Sequence, residues 1–259
     1  MENSKILTAG KVADICNGIL LSGRADTALY NFVKDTRELN KGDVYVGLSG
    51  EHFQGSKLWK EALNLGAVGV LIEKVEITYE DLKNYQDKVI IKVEDTTKAL
   101  QELAAYKRKQ FNIPVIAVTG SVGKTSTKDM IASVLKQKYN VHKTSGNYNN
   151  HIGLPLTILG LKEEHEVLVT EMGMNHFGEI SLLTNIAKPT VAVITNIGTA
   201  HIGNLGSREN ILKAKLEILE GLEKDGAVII NNDNDLLHNW SKKENIKSRR
   251  KHISSRNRK

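Results

Sequence analysis

Eight consecutive residues, Thr119-Gly120-Ser121-Val122-Gly123-Lys124-Thr125-Ser126, carry the most legible chemistry of this chain. Glycines let the backbone turn its N–H groups inward on an anion, a helix N-terminus adds positive potential, and a lysine and a hydroxyl follow at once. Lys124 would reach the β- and γ-phosphates of a nucleotide, and the Thr125 hydroxyl would ligate Mg²⁺, with Gly120, Ser121, Val122, Gly123 and Ser126 completing the phosphate-binding set. The run is a shortened variant of the usual pattern, because Val118 stands where a further glycine is common.

Such a loop needs a strand before it and a helix after it. The strand reads Pro114-Val115-Ile116-Ala117-Val118, and the spacing of Met130, Ile131, Val134 and Leu135 predicts that these four form the buried face of the following helix. Further apolar strands at 167–170, 191–195 and 227–230 alternate with helices near Ile180 and over 208–222. Continuous apolar strands alternating with helices predict a parallel sheet covered on both faces, with ligands gathered at the strands' carboxyl ends. Two of those ends are chemically loaded, one with Glu171-Met172-Gly173-Met174-Asn175-His176 and the other with Asn196-Ile197-Gly198-Thr199-Ala200-His201. A lone glutamate or histidine at a strand end is often a cap or a structural hydrogen-bonder. Their shared edge beside a phosphate loop makes Glu171 and His201 candidate Mg²⁺ ligands, directly or through water. By spacing alone, Lys213-Ala214-Lys215-Leu216-Glu217 reads as a solvated helix face.

Residues 1 to about 110 read as a separate small α/β unit, with strands at 44–48, 67–72 and 89–93 and helices over 56–65 and 96–110. The chain has 259 residues and 40% hydrophobic content, enough for a sizeable core in one large or two medium domains. No stretch reaches the ~18 apolar residues of a membrane span. The lone Cys16 forms no internal disulfide, reads as packing and fits a reducing cytoplasm. The net charge of +6 belongs to the end of the chain: residues 241–259 hold nine Lys/Arg against one acid, leaving 27 basic and 29 acidic side chains before them. Without aromatic residues for base stacking, this tail reads as a disordered extension rather than a nucleic-acid surface.

Four segments occur in a telling order: the phosphate loop, Asn149-Asn150-His151-Ile152-Gly153-Leu154-Pro155-Leu156-Thr157, Glu171-Met172-Gly173-Met174, and Asn196-Ile197-Gly198-Thr199-Ala200-His201. Over roughly residues 10 to 240 the chain resembles the Mur ligases. The Asn149-Asn150 segment and the Glu-Met-Gly-Met-Asn-His run resemble the branch that joins D-alanyl-D-alanine to UDP-N-acetylmuramoyl-tripeptide. Ligases that add a single amino acid to the same sugar-peptide are the alternative within the family, and a non-catalytic nucleotide-binding protein the alternative outside it.

The resemblance implies an α/β chain with a small substrate domain at 1–110 and a P-loop parallel-sheet ATPase domain at 111–240. That ATPase domain would be incomplete, the family's C-terminal ligase domain would be absent, and the change of composition near residues 240 to 250 would mark a truncation or frameshift that leaves the fragment inactive. It implies ATP and Mg²⁺ as cofactors, an acyl-phosphate mechanism, a role in peptidoglycan synthesis in a bacterial cytoplasm, and no membrane partner. It further implies that Asp35-Thr36-Arg37 brings Thr36 and Arg37 near the uridine nucleotide, that Asn149 and Asn150 contact substrate, and that Asn231 lies near the adenine. Lys124 and Lys215 would be catalytic, Lys215 as a carbamate that helps hold a second Mg²⁺. Where relatives commonly have Asp-Gly-His after an aromatic residue, this chain departs with Phe53-Gln54-Gly55-Ser56.

Overall fold

The structure is a computed structural model and describes residues 6–50, 53–243 and 250–253. It divides into two compact units, residues 1–110 with 158–160, and residues 111–157 with 161–259.

The first unit contains the strands β1 (Leu7–Thr8), β2 (Ile19–Ser22), β3 (Ala28–Leu29), β4 (Phe32–Val33), β5 (Val44–Val46), β6 (Gly69–Ile72) and β7 (Val89–Lys92). Its helices are α1 (Ala9–Ile15), α2 (Trp59–Asn64), α3 (Tyr79–Asn84) and α4 (Thr96–Lys109). Five strands form one sheet in the order β2-β7-β6-β5-β4, parallel except for β2, while β1 and β3 pair separately. Tyr45, Val70, Ile72 and Ile90 meet Trp59, Ala62 and Leu63 of α2 in its core. Side-chain caps start three of its helices: the Thr8 hydroxyl accepts from the Lys11 N–H on α1, Thr78 and Asp81 form a reciprocal capping box on α3, and Asp95 accepts from the Lys98 N–H on α4. The Cys16 thiol is buried and points at the Ala99 carbonyl, and burial pushes it up to about 12, so it is packing rather than a reactive group.

The second unit runs β8 (Val115–Thr119), α5 (Lys124–Leu135), β9 (Val141–Lys143), all but the last two residues of α6 (Gly153–Leu159), β10 (Val167–Glu171), α7 (Glu179–Ala187) and β11 (Val191–Ile194). It continues with α8 (Ile202–Leu205), α9 (Arg208–Leu216), β12 (Ala227–Asn231), α10 (Asp235–Lys243) and β13 (Arg250–Ile253). All six strands are parallel, in the order β13-β12-β11-β8-β10-β9. Every residue of β8 and β10 is buried, which explains the apolar runs 115–118 and 167–169; the polar residues Thr119, Thr170 and Glu171 come at their carboxyl ends. The chain leaves β8 toward β9, returns through β10, and then crosses to β11 on the far side. The β8 carboxyl end therefore sits where the strand order reverses, the position at which open α/β sheets bind ligands.

Several sequence expectations are revised. The α5 face that meets the sheet is Lys128, Ile131, Ala132 and Leu135, with Ile131, Ala132 and Leu135 packed on Ile116, Val118, Val167 and Val169. Met130 and Val134, expected in the core, are exposed, because this i, i+3, i+4, i+7 stripe turns their side of the helix outward. The helix expected over 208–222 is α9 followed by a 3₁₀ turn at Glu217–Leu219. The short strand β9 and the helix α6 were not foreseen: Val141-His142-Lys143 is too polar to read as a strand, and Pro155 sits in the first turn of α6, where its missing N–H costs nothing. Of the basic tail expected to be a disordered extension, residues 241–243 end α10 and Arg250–Ile253 pairs with β12; residues 244–249 and 254–259 lie outside the described residues.

The revised α5 face makes a direct prediction. Met130→Gln should change the free energy of unfolding by less than ~0.5 kcal/mol. Ile131→Ala, which strips a side chain packed on the sheet, should cost about 2 kcal/mol in urea titrations of the same chain.

Candidate functional site

The phosphate loop is laced to the end of β11. Ser121 donates its N–H to both the carbonyl and the side-chain oxygen of Asn196 at 3.0 and 3.1 Å, and Val122 donates to the same side-chain oxygen at 3.0 Å. The Thr195 hydroxyl donates to the Val122 carbonyl at 2.7 Å, and the Gly198 N–H donates to the Ser121 hydroxyl at 2.9 Å. This approach is so close that a Cβ on Gly120 would lie 1.9 Å from the Thr195 hydroxyl, and Gly120 also has φ +151°. Gly123 has φ +78° and is the N-cap of α5 with no side-chain cap, so the first-turn N–H groups of that helix remain available to an anion. Lys124 folds back over the loop and donates to the Gly120 carbonyl at 3.0 Å.

Glu171 ends β10 beside Val118 of β8, which brings its side chain to the root of the loop. It is buried at 2% relative exposure. One carboxylate oxygen accepts from the Thr125 hydroxyl at 2.8 Å and the other from the Asn149 amide at 2.8 Å, while its own N–H donates to the Thr144 hydroxyl at 3.1 Å. Both side-chain donors are neutral, and among the described residues Glu171 has no ion pair. A buried carboxylate without a cation is costly, and this one stands against a hydroxyl at the mouth of a phosphate loop. Among the described residues no three His, Cys, Asp or Glu side chains form a metal cage. That donor set fits Mg²⁺, which takes one or two protein oxygens and completes its shell with phosphate and water.

Lys215 is 1% exposed, on the α9 face that also buries Ile211 and Ala214. Burial, and secondarily the charge of Lys124, push its amine down to about 7. The expectation of a solvated helix face is therefore wrong at this position. Lys213 is the exposed member, and an i, i+3, i+4, i+7 pattern of Ile211, Ala214, Lys215 and Ile218 was available in the sequence to reveal it. His201 is the N-cap of α8 in a left-handed conformation at φ +66°; burial and then the charges of Lys215 and Lys124 lower its pKa, so the imidazole is neutral at pH 7 and able to ligate. Lys124, Lys215 and His201 thus share one electrostatic neighbourhood.

The remaining candidates have local partners. Asn149 is tied to Glu171, whereas Asn150 accepts from the N–H groups of Ile152 and Gly153 at the start of α6. Asn231 lies exposed at the end of β12, where its side chain accepts from the Asp233 N–H at 3.0 Å. In the first unit, Thr36 opens a 3₁₀ turn, and Arg37 makes a bidentate pair with Asp35 at 2.6 and 2.9 Å that holds the carboxylate down at about 2. The departing segment at 53–56 is fixed by close packing: the Tyr45 hydroxyl donates to the Gly55 carbonyl, and a Cβ on Gly55 would lie 2.4 Å from the Leu48 carbonyl. Sequence reasoning misses the roles of Thr144, Thr195 and Asn196, whose side-chain oxygens bond backbone groups distant in the chain, and of Glu217. Glu217 accepts from the N–H groups of Gly178 and Ser181 and so caps α7, which has no side-chain cap of its own.

The fit at Gly120 can be measured. Gly120→Ala should destabilise the second unit by more than ~2 kcal/mol, because strain at φ and a clash with Thr195 add together. Gly146→Ala has a positive φ but open space around it, and should cost about 1 kcal/mol in the same urea titration.

Comparison with known proteins adds the lineage. The Mur ligase middle domain matches residues 118–259, and the model described as Mur ligase family, catalytic domain, matches residues 30–108. UDP-N-acetylmuramoyl-tripeptide--D-alanyl-D-alanine ligase of Bacillus subtilis is 44% identical over 234 residues, 90% of this chain and 50% of that protein. MurF from Acinetobacter baumannii superposes with a TM-score of 0.81 at 32% identity, covering 96% of this chain and 53% of the other. MurF from Thermotoga maritima, solved in complex with ADP, superposes with a TM-score of 0.73 at 34% identity over 87% of this chain and 50% of the other. The chain spans about half the length of the curated relatives it matches. With its phosphate loop, buried Glu171 and parallel sheet in this company, the chain belongs to the Mur ligase family.

Proposed function

We propose that this chain carries the nucleotide-handling part of an ATP-dependent ligase that joins D-alanyl-D-alanine to UDP-N-acetylmuramoyl-tripeptide in peptidoglycan precursor synthesis. The observation that carries the reading is the buried, cation-free Glu171 bonded to Thr125 of a phosphate loop. The dipeptide acceptor is favoured over a single amino acid by relatives named for D-alanyl-D-alanine at 44% and 47% identity.

In this reading ATP gives its γ-phosphoryl group to the terminal carboxylate of the tripeptide. The amine of D-alanyl-D-alanine attacks the resulting acyl phosphate, loses a proton, and inorganic phosphate leaves. The open N–H groups of α5 hold the phosphates, and Lys124 swings from the Gly120 carbonyl onto them, so that fixed charge stabilises the transferring group. Thr125 and Glu171 would hold Mg²⁺, with His201 assigned as a further ligand, and the ion would neutralise phosphate charge when bound. With its amine near 7, Lys215 is about half neutral at pH 7, and the neutral form is the one that combines with CO₂ to give a carbamate and so adds a second anionic oxygen donor. Thr36 and Arg37 are assigned to the uridine nucleotide, Asn149 and Asn150 to substrate and Asn231 to the adenine. Among the described residues no helix is long and apolar enough to cross a membrane; a bacterial cytoplasm is assigned from the family resemblance.

Two measurements test the proposal. Lys124→Ala should weaken Mg²⁺–ADP binding by ~10–100-fold, the loss of one charge-assisted hydrogen bond, and abolish ATP turnover in any ligation-competent form; unchanged affinity would remove the loop assignment. Incubation with ¹³C-bicarbonate should give a carbamate resonance at pH 8 that is absent in Lys215→Met. Because the folded amine sits near 7, its reactive neutral form dominates above that value and falls away below it, so the resonance should collapse by about pH 6. A signal that persists in Lys215→Met would assign the chemistry elsewhere.

A further inference from the structure

Lys128 is a charged side chain with no part in the mechanism above, and it is 2% exposed. It lies on α5 one turn beyond Thr125, on the face turned to the sheet. Its ammonium donates to the Thr144 carbonyl at 3.0 Å and stands 3.2 Å from Asp129. Asp129 is 45% exposed and already has a closer cation in Lys143 at 2.6 Å, so it does not account for a buried lysine.

Thr144 does account for it. This residue is fully buried, its N–H donates to the Val169 carbonyl, and its hydroxyl accepts the N–H of Glu171. The loop that Thr144 opens closes at Asn149, whose amide holds the Glu171 carboxylate and whose carbonyl accepts the Gly173 N–H at 2.8 Å. The segment 144–149 therefore clasps Glu171 at its backbone and at its side chain, and Lys128 pins the first end of that clasp. We propose that Lys128 is a positioning residue that holds Glu171 in its ligating orientation through Thr144, and so sets the contribution of Mg²⁺ to nucleotide binding. The inference rests on the assignment of Glu171 and Thr125 to Mg²⁺.

A residue that only supports the fold would weaken nucleotide binding with and without metal alike. A positioning residue for Glu171 acts on the metal-dependent part alone, and outer partners of metal ligands are worth ~10–100-fold in metal affinity. The experiment is calorimetric titration of the 259-residue chain with ADP, in Mg²⁺ and in EDTA, for the wild type, Lys128→Met and Thr144→Val. Lys128→Met is expected to lose at least ~10-fold in Mg²⁺–ADP affinity while ADP affinity in EDTA changes by less than ~2-fold. Thr144→Val should reproduce that metal-specific loss, and the double variant should lose no more than either single one, since both act through one path. Lys128→Met with the wild-type Mg²⁺ enhancement, or with equal losses in both buffers, overturns the proposal. If Lys128→Met fails to fold, Thr144→Val decides the matter by the same two outcomes. A wild-type chain that binds ADP with no Mg²⁺ enhancement brings down the metal assignment itself, which is a separate result.

Discussion

One buried carboxylate organises the second unit. Removing an ionised group from water is tolerated only when neighbouring groups replace the lost hydration, and Glu171 recruits those neighbours from three elements: Thr125 from α5, Thr144 from the end of β9 and Asn149 from the loop before α6. Each of those elements is thereby fixed against β10. The phosphate loop, which has glycines at its two turning points and little stiffness of its own, takes its shape from this anchor on one side and from Asn196 on the other. The arrangement leaves the negative charge unpaired beside open helix N–H groups, so the site presents a carboxylate for a cation and dipoles for an anion within one turn of helix.

The cationic groups complement this. Burial first and the charge of Lys124 second lower the pKa of Lys215, and after burial the charges of Lys215 and Lys124 lower that of His201. A polyphosphate entering there would offset that positive field and favour the protonated form of Lys215. The same helix that buries Lys215 ends in Glu217, which caps α7 and so steadies the segment following Glu171. The run Ala214-Lys215-Leu216-Glu217 thus does two jobs, with a buried amine in the field of Lys124 and a carboxylate bonded to a helix terminus.

The sequence made the strand, the glycine turn and the following helix readable because all three signals are local: an apolar run, positive-φ glycines and a Lys-Thr pair at a helix start. Glu171 and His201 were legible as candidates because parallel strands must share one carboxyl edge. Spacing alone left Lys215 on a solvated face, because lysines on helices are usually solvated and its burial shows only in its apolar companions Ile211, Ala214 and Ile218; the resemblance alone pointed to it. The α5 face was misjudged for the converse reason: apolar residues were counted as core, yet the stripe that meets the sheet contains Lys128, while Met130 and Val134 face outward. Thr144 and Asn196 were invisible as supports because their contributions depend on backbone approach across the sheet, which residue type does not encode.

The bonds that shape the loop join residues distant in the chain: Thr125 to Glu171 across 46 positions, Thr119 to Met172 across 53, and Ser121 to Asn196 across 75. The strand that carries the loop therefore has no flanking partner when it leaves the ribosome, and must stay unpaired until β10 and then β11 have been made. High separation of contacting residues slows folding and lengthens the exposure of unpaired strands. It also means that the phosphate cradle exists only once the central sheet has closed. A nucleotide binding there would add its free energy to the assembled state alone, which makes the ligand a late fastener of the whole sheet and its retention a gauge of whether every strand has found its place.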